Sequence, residues 1–260
     1  VVRALVAGLN LLPVTPCGHP LAEINTAPEF AAMIPMQVYN SLQVSAEKEC
    51  LKQIRHLIIG GGAIDSTLAT ELASFPYAVW STYGMTETLS HIALRRLNGP
   101  DASDWYTPFQ GVKVSLSPEN TLTIEAPAVC AEKLTTNDIC EFNAQGQFHI
   151  LGRKDNTINT GGVKVQIEQV ENALKTALSV PFMVTAVPDP KFGERIVLLL
   201  EDEGKTYTVE LLNQALLKLP AYWRPKQVFH IQKLPQTETG KPDRATARKV
   251  AKEIAESEKK

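Results

Sequence analysis

A short apolar run that ends in three glycines constrains the fold of this chain most. His56–Ile59 is followed directly by Gly60–Gly62, and a run of this kind is typical of a buried strand that enters a tight loop. Ser66–Ser74 then shows helical spacing of its apolar residues, and Tyr77–Trp80 is the next apolar run. This strand–helix–strand order predicts a parallel α/β layer.

The spacing of apolar residues changes to a period of two after Gly111. Val112–Leu116 and Leu122–Glu125 alternate between apolar and polar residues, and Ile139–Phe142 and Phe148–Leu151 flank a second turn-forming segment. These four segments predict a small antiparallel β subdomain whose hairpins have one solvated face.

The pattern restarts after Gly152–Asn156, which predicts a domain border there. The expected elements beyond the border are helices at Ile167–Leu178 and Thr208–Leu219, and strands at Val163–Val165, Met183–Val187, Ile196–Leu200 and Val228–Ile231. The prediction is therefore an α/β protein with two parts. Residues 1–152 form the C-terminal part of a large domain, and residues 153–260 form a small, mobile α+β domain.

The charge of the chain argues against a nucleic-acid partner. The 260 residues include 26 basic and 28 acidic side chains, which gives a net charge of −2. No basic surface of the kind that binds a phosphate backbone follows from this balance. The charged tail, Lys241–Lys260, is most simply explained as a solvated helix.

Cysteine spacing argues against a zinc site, and the composition of the first residues argues against a membrane-spanning segment there. The four cysteines form no Cys-x-x-Cys pair and have no histidine cluster beside them, so a zinc site is not expected. Sparse cysteines fit a reducing compartment, and we expect a cytoplasmic location. The apolar segment Val1–Val14 contains Arg3, Asn10 and Pro13 and is too short to span a bilayer. It is expected to be a buried helix that runs into a strand.

The pentapeptide Tyr83–Glu87 carries the strongest chemical signal. It places a ring, a glycine, a hydroxyl and a carboxylate within five residues after an apolar stretch. This combination suits a nucleotide that stacks on the ring, with a phosphate on the hydroxyl of Thr86 and a metal ion on Glu87. Alone, a Tyr-Gly turn after a strand is common.

Five further pieces follow or precede this pentapeptide in a fixed order. They are Gly60–Ala63, Thr136–Asp138, Gly152–Asp155, Gly161–Gly162 and Thr239–Lys241. Together the six pieces resemble the adenylate-forming superfamily, which includes acyl-CoA synthetases, nonribosomal-peptide adenylation domains and luciferases. The resemblance runs from about Ile54 to Lys241. Each piece alone has an ordinary explanation, such as a left-handed turn, a core aromatic or a surface charge.

The resemblance implies a role for each residue toward ATP and its AMP moiety. Backbone without a Cβ approaches the base at the glycine loop, and Arg153 can donate a forked pair of hydrogen bonds. The implied nucleotide-binding set is Gly61, Gly62, Ala63, Tyr83, Gly84, Thr86, Asp138 and Arg153, with Glu87 as the Mg²⁺ ligand. Asp138 would accept the ribose hydroxyls, and Asn137 stands where family members usually have glycine.

The same resemblance assigns the remaining residues to a mobile domain. Asp155 occupies the family's hinge position, and Gly161 and Gly162 line the passage for the pantetheine arm of coenzyme A. Lys241 meets the acyl carboxylate and the α-phosphate as negative charge builds there, so Lys241, Thr86 and Glu87 are the implied catalytic residues. The implied reaction forms an acyl-adenylate and then a CoA thioester by a swing about Asp155.

Within the superfamily, the segment Thr82–His91 looks most like the o-succinylbenzoate–CoA ligases of menaquinone biosynthesis. A small carboxylic acid would then be the partner, and Thr88, Ser90 and His91 are candidates for its second carboxylate. Ordinary loop polarity explains these three residues equally well. Ala32–Pro35 resembles the family's segment near the acyl pocket, or it is simply a packed entrance to a helix.

One departure from the family pattern affects what the chain can do alone. The lysine-containing Ser/Thr/Gly-rich loop that wraps the β- and γ-phosphates in the family has no counterpart in residues 1–53. We therefore expect a fragment that does not complete the adenylation step at a useful rate and that can self-associate as a homo-oligomer. Two alternatives stay open: another acyl- or aryl-acid CoA synthetase, and a non-catalytic nucleotide-binding module of the same fold.

Overall fold

A computed structural model describes residues 2–64, 66–175, 177–178, 180–201, 209–237 and 241–258. The chain is a mixed α/β protein, as predicted, and divides into two compact units, residues 1–111 and 112–260. The predicted border between residues 152 and 153 lies inside the second of these units and remains a prediction.

The first unit contains a five-stranded sheet in the order β1-β2-β3-β4-β5. The first three strands are parallel, and β4 and β5 are antiparallel to their neighbours. The strands are β1 (Phe30–Met33), β2 (His56–Ile59), β3 (Ala78–Gly84), β4 (His91–Arg96) and β5 (Thr107–Pro108). The helices are α1 (Val2–Ala7), α2 (Pro35–Gln43), α3 (Ser45–Gln53) and α4 (Ser66–Ala73). The predicted strand–helix–strand order and its parallel pairing are confirmed.

Helices and strands of the first unit bury a continuous apolar core. Leu51 of α3, Leu57 and Ile59 of β2, and Leu72 of α4 are fully buried, which accounts for the helical and strand periodicities in the sequence. The N-terminal segment differs from its prediction. Val2–Ala7 is helical, but none of its residues is buried, and the apolar residues after it are exposed and form no strand.

The second unit begins with an antiparallel sheet in the order β6-β7-β8-β9. Its strands are β6 (Lys113–Leu116), β7 (Thr121–Glu125), β8 (Leu134–Phe142) and β9 (Phe148–Arg153), so all four predicted strands are confirmed. The predicted solvated face is wrong for β7, because Thr121 and Thr123 are as buried as Leu122 and Ile124. Threonine therefore fills positions that its polarity assigned to solvent.

The rest of the second unit is built on the paired strands β12 (Phe182–Asp189) and β13 (Gly193–Glu201). Strand β14 (Gln227–Ile231) pairs with β13 in parallel, and β10 (Thr157–Thr160) and β11 (Val163–Gln166) form a hairpin that reaches β13 at Gly193. Helices α5 (Ile167–Lys175), α6 (Val209–Lys218) and α7 (Arg244–Ser257) complete the unit. Thr208, the predicted first residue of the second of these helices, lies outside the described residues.

Two details of this region correct the sequence reading. Strand β12 continues through Pro188 to Asp189 instead of ending before them. Helix α7 is not simply solvated, because Ala247, Ala251 and Ala255 are buried in a core cluster with residues of β12 and β13. Small alanine side chains at a spacing of four let this charged helix approach the sheet closely.

Candidate functional site

The loops after three parallel strands of the first unit lie at one edge of its sheet. In the pairing register Met33 of β1 is opposite Ile59 of β2, and Ile59 is opposite Ser81 of β3. The loops after β1 and β2 are also in contact, because a Cβ on Gly61 would lie 3.4 Å from Cγ2 of Ile34. Open α/β sheets bind ligands beyond the carboxyl ends of their strands, so this edge is the candidate nucleotide site.

The glycine loop combines a left-handed turn with a close backbone approach. Gly61 has a φ of +77°, which favours glycine, and a Cβ on Gly60 would lie 2.2 Å from Oγ1 of Thr82 on the neighbouring strand β3. Gly61, Gly62 and Ala63 are exposed, so their backbone is accessible at the strand edge.

Gly84 is required because β3 and β4 approach each other there. A Cβ at Gly84 would lie 2.3 Å from the carbonyl oxygen of Ser90 and 2.5 Å from Cα of His91. The preceding Tyr83 is partly buried, and its ring centroid lies 5.7 Å from that of Tyr106. The Tyr106 hydroxyl is 2.7 Å from the Ser81 hydroxyl. The Tyr83 ring therefore has a supported position at the sheet edge.

The residues after Gly84 form a tight turn with two exposed functional side chains. Thr86–Thr88 is a 3₁₀ turn in which Thr86 and Glu87 are exposed. Thr88 is buried, and its hydroxyl accepts from the backbone N–H of Met85 and lies 2.7 Å from the carbonyl oxygen of Ser90. Its hydroxyl thus holds the turn that presents Thr86 and Glu87.

Ser90 and His91 close the same turn at the start of β4. Ser90 Oγ is 3.2 Å from Nδ1 of His91, and the His91 ring lies 5.4 Å from the Phe109 ring in an edge-on arrangement. Partial burial, and secondarily the positive charge of Arg3, lower the pKa of His91 below its usual value. A neutral imidazole is therefore favoured beside the strand edge.

A second group of predicted residues comes together in the second unit. Asp138 and Arg153 are opposite each other on β8 and β9, and Arg153 Nη1 donates to Asp138 at 3.2 Å. Arg153 Nη2 donates to Asp155 at 2.8 Å, and the Asn137 amide donates to the same carboxylate oxygen at 3.2 Å. Asp138 as the predicted ribose ligand, Arg153 as a predicted nucleotide ligand and Asp155 as the predicted hinge residue therefore form one hydrogen-bonded cluster.

Gly161 and Gly162 form the turn of the β10–β11 hairpin. Both have positive φ, +60° and +82°, and the Gly161 N–H donates to the carbonyl oxygen of Phe192 at 2.8 Å. A Cβ on Gly161 would lie 3.2 Å from the Phe192 ring. Both glycines are exposed, which leaves the backbone of this turn accessible to a ligand.

The backbone of Lys241 is hydrogen-bonded to Thr237. Residues 238–240, including the predicted Thr239 and Gly240, lie outside the described residues. The Thr237 N–H donates to the Lys241 carbonyl oxygen at 2.8 Å, and the Lys241 N–H donates to Oγ1 of Thr237 at 3.1 Å. The exposed Lys241 side chain is therefore carried by a fixed backbone.

Sequence reasoning missed the residues that hold these side chains in place. Asn137 supports Asp155, Tyr106 supports Tyr83, and Glu171 receives two hydrogen bonds from Arg244. None of these residues lies in a motif position to which a role was assigned. Two of them could have been noticed from the sequence. Asn137 is a polar residue inside the Thr136–Asp138 motif, and Arg244 is a charged residue shortly after Lys241.

Metal binding by protein side chains alone finds little support in this arrangement. Within the described residues, no group of three or more His, Cys, Asp or Glu residues could hold a metal ion. Glu87 offers a single exposed carboxylate, which fits a Mg²⁺ ion whose other ligands are phosphates and waters.

The described part of the chain has no helix long and apolar enough to cross a membrane.

Comparison with other proteins shows which class of enzymes this chain resembles. A probable 2-succinylbenzoate–CoA ligase from Mycobacterium tuberculosis (strain CDC 1551 / Oshkosh) is 27% identical over 269 residues, with 94% of this chain and 68% of the relative covered. A 3-oxocholest-4-en-26-oate–CoA ligase from Rhodococcus rhodochrous is 38% identical over 109 residues, with 41% of this chain and 20% of the relative covered. No family model matches the chain.

Solved structures agree with this classification. An acyl-CoA synthetase (AMP-forming)/AMP-acid ligase II-like protein from Dyadobacter fermentans DSM 18053 is 29% identical, with a TM-score of 0.54 and coverage of 90% of this chain and 69% of that chain. ATP-bound MatB from Rhodopseudomonas palustris, 23% identical with a TM-score of 0.76, has the same fold over 90% of this chain and 52% of its own.

The homologues and structural neighbours of this chain are adenylate-forming acyl- and aryl-CoA ligases. The chain spans only part of them, from a fifth to about two thirds of the two curated relatives described.

Proposed function

We propose that the natural protein containing this chain is an ATP-dependent carboxylate–CoA ligase. A carboxylate oxygen attacks the α-phosphorus of ATP, the bond to the β-phosphate oxygen breaks, and pyrophosphate leaves. The thiol of coenzyme A then attacks the acyl carbon of the adenylate, loses its proton, and AMP leaves with both electrons of the acyl–oxygen bond. No covalent enzyme intermediate is needed.

The observation that carries this proposal is the close approach of β3 and β4 at the edge of the first sheet, where Gly84 meets Ser90 and His91. Because Gly84 has no Cβ, Ser90 and His91 pack directly against it. Tyr83, Thr86, Ser90 and His91 therefore belong to the same connection between β3 and β4. In this proposal the adenine lies against Tyr83 and the glycine loop, and the acid lies near Ser90 and His91.

The second unit supplies the remaining groups. Asp138 accepts the ribose hydroxyls, Arg153 donates to ribose or phosphate, and Lys241 stabilises charge on the transferring phosphoryl group. We propose that the region from residue 153 onward then rotates about Asp155 and brings the Gly161–Gly162 turn to the pantetheine arm. Mg²⁺ would be held by Glu87 and the phosphates, and it would neutralise the charge of the leaving pyrophosphate.

For the acid we propose o-succinylbenzoate, which would place the protein in menaquinone biosynthesis. Support comes from two relatives, from M. tuberculosis and Lactococcus lactis subsp. lactis, whose names specify this acid. Ligases named for 4-chlorobenzoate and oxalate are similarly related, so another acyl- or aryl-acid CoA synthetase is the alternative. Ser90 and His91 are the proposed contacts to the second carboxylate. Thr88 drops out of this set because its buried hydroxyl bonds to the turn backbone.

The test is acid-dependent pyrophosphate release by the natural full-length protein. A panel would contain o-succinylbenzoate, 4-chlorobenzoate, oxalate and a medium-chain fatty acid, each with ATP and Mg²⁺. We expect o-succinylbenzoate to give the highest kcat/KM, and the Lys241→Ala variant to lose roughly two to three orders of magnitude in rate, as for a preorganised charge-stabilising donor.

Two outcomes would redirect the proposal. Preference for a different acid would reject the substrate but keep the reaction. Nucleotide binding without pyrophosphate release for any acid, and without an effect of Lys241→Ala, would favour the non-catalytic module.

Four free thiols are consistent with the proposed reducing, cytoplasmic location, and self-association stays part of the proposal.

A further inference from the structure

The buried ion pair between Arg244 and Glu171 has no role in the proposed reaction so far. Arg244 Nη1 and Nη2 donate to the two carboxylate oxygens of Glu171 at 2.5 and 2.6 Å. The two residues are 73 positions apart, and their side chains are 23% and 11% exposed. A bidentate arginine–carboxylate pair fixes orientation as well as distance.

Glu171 is itself fixed from a third direction. Its Oε1 accepts the backbone N–H of Val184 on β12 at 2.9 Å, so the carboxylate bridges helix α5, strand β12 and the first residue of α7. The same edge of β12 receives a longer contact from Arg244 to the Val184 carbonyl oxygen, at 3.4 Å. Arg244 is thus tied to the sheet of the second unit.

The position of Arg244 on its helix does not serve helix stability. Arg244 is the first residue of α7, where the positive end of the helix dipole disfavours a cation. The helix already has a cap, because the Asp243 side chain accepts from the Thr246 N–H at 3.0 Å. Since a buried ion pair adds little net stability compared with apolar packing, its function is better sought in positioning.

The loop that carries Lys241 ends directly at this anchor. Asp243 donates its backbone N–H to the Pro235 carbonyl oxygen at 3.0 Å, and Lys241 and Thr237 exchange two hydrogen bonds. Among the described residues, these hydrogen bonds connect the Lys241 backbone to residues 235–237, and the chain continues from Lys241 through Asp243 to Arg244.

We propose that Arg244 and Glu171 are positioning residues that hold the Lys241 loop, residues 241–243, in the orientation needed for adenylation. This inference rests on the proposed function for its catalytic consequence, and on the contacts above for its structural part. Removal of the pair would let the loop rotate about the start of α7, so the ammonium group would lose its alignment with the reacting phosphate.

The catalytic test separates the two half-reactions in the natural full-length protein. We expect Arg244→Gln to slow acid-dependent pyrophosphate release about 100-fold, the size expected for a misplacement of about 1 Å. Thioester formation from a preformed acyl-adenylate and coenzyme A should change less than about threefold, because Lys241 is not needed there. Arg244→Lys, which keeps the charge but not the forked geometry, should fall between the two.

Two controls distinguish positioning from simple destabilisation. Lys252→Met removes an exposed pair on the same helix and should leave both half-reactions unchanged. In a Lys241→Ala background, Arg244→Gln should cause no further loss in adenylation, because residues that act through one group are not additive. Equal loss in both half-reactions, or full additivity with Lys241→Ala, would overturn the proposal.

Amide hydrogen exchange on this 260-residue chain tests the structural part without any activity. The amides of Thr237, Lys241 and Asp243 should exchange about tenfold faster in Arg244→Gln than in wild type, through local opening. Global destabilisation alone would accelerate the most protected β13 amides and leave these loop amides unchanged, which would overturn the positioning role. If the natural protein releases no pyrophosphate with any acid, the proposed function fails while this measurement still decides whether Arg244 holds the loop.

Discussion

The two units of the molecule hold their candidate functional residues in different ways. In the first unit the loops are placed by backbone that approaches other backbone, as at Gly84 against Ser90 and His91. In the second unit they are placed by charged side chains, as in the clusters around Arg153 and Arg244. Contact between backbones leaves no room for adjustment, whereas ion pairs can be weakened in steps by exposure, salt and substitution.

The two ion-pair clusters of the second unit differ in how far they are exposed to solvent. Arg244 donates both of its terminal nitrogens to the nearly buried Glu171, while Arg153 is half exposed and divides its donors between Asp138 and Asp155. A group whose bonds are shared and solvated can release them to a nucleotide at little cost. A buried bidentate pair cannot, so the first is suited to ligand exchange and the second to a fixed support.

The largest effect is expected from Arg244→Met, which leaves Glu171 buried without its charge partner. We expect a loss of roughly 3 kcal/mol in the free energy of unfolding, the range for removing one partner of a buried pair. Urea titration followed by circular dichroism measures it, with Lys252→Met as the matched control on the same helix. A loss as small as that of the control would erase the contrast between buried and exposed clusters.

Gly84→Ala tests the backbone-built unit and should rank second. The new Cβ would overlap Ser90 and His91, which can move only if β3 and β4 separate, so we expect a loss of about 2 kcal/mol. Gly62→Ala is the control, because its Cβ would meet Pro35 at an ordinary 3.6 Å. Equal stability of the two variants would show that the strand edge adjusts as freely as the charged clusters.

Periodicity predicted most of the strands and helices because their buried faces follow the period of each element. It missed strands β1, β5 and β10, helices α2 and α3, and strand β4, His91–Arg96, whose last two residues are arginines. Arg95 and Arg96 lie on the strand with their guanidinium groups against the rings of Tyr106 and Trp80. Charged residues packed on aromatic rings do not register as apolar, so no local pattern could identify this strand.

The sequence predicts the candidate site as a set of positions but not as a set of contacts. The order of the motifs assigned Asp138 and Arg153 to the same nucleotide-binding set, and the pairing of β8 with β9 brings the two residues together. The burial of Thr88 and the pairing of Arg244 with Glu171 were not predictable, because each depends on atoms that meet only after folding. Assignments of polar residues to solvent or substrate are therefore the weakest part of such a reading.

Arg153→Ala should have a smaller effect on stability, because its side chain and that of Asp155 are about half exposed. We expect a loss below about 1 kcal/mol, and less still at high salt, since exposed ion pairs are screened. Nucleotide affinity should fall in the same variant if Arg153 donates to ribose or phosphate. Urea titration at low and high salt, together with ATP titration calorimetry, measures both quantities. A stability loss as large as that of Arg244→Met would contradict the assignment of this cluster to ligand exchange.

The smallest expected effect concerns His91 and the pH dependence of stability. Its folded pKa is lowered by partial burial and by Arg3, so the folded state favours the neutral ring more than the unfolded state does. This contribution is fully present above the usual pKa of about 6.5 and is lost as pH falls through the lower folded pKa. Thermal unfolding at pH 7.5 and 5.5 should show a shallower decline for His91→Gln than for wild type. His56→Gln, at an exposed position on β2, is the matched control substitution of a histidine. Because the charge of Arg3 contributes to the lowered pKa of His91, Arg3→Ala should also make the decline in thermal stability shallower. If the decline is unchanged in both the His91→Gln and the Arg3→Ala variants, the lowered pKa of His91 is contradicted.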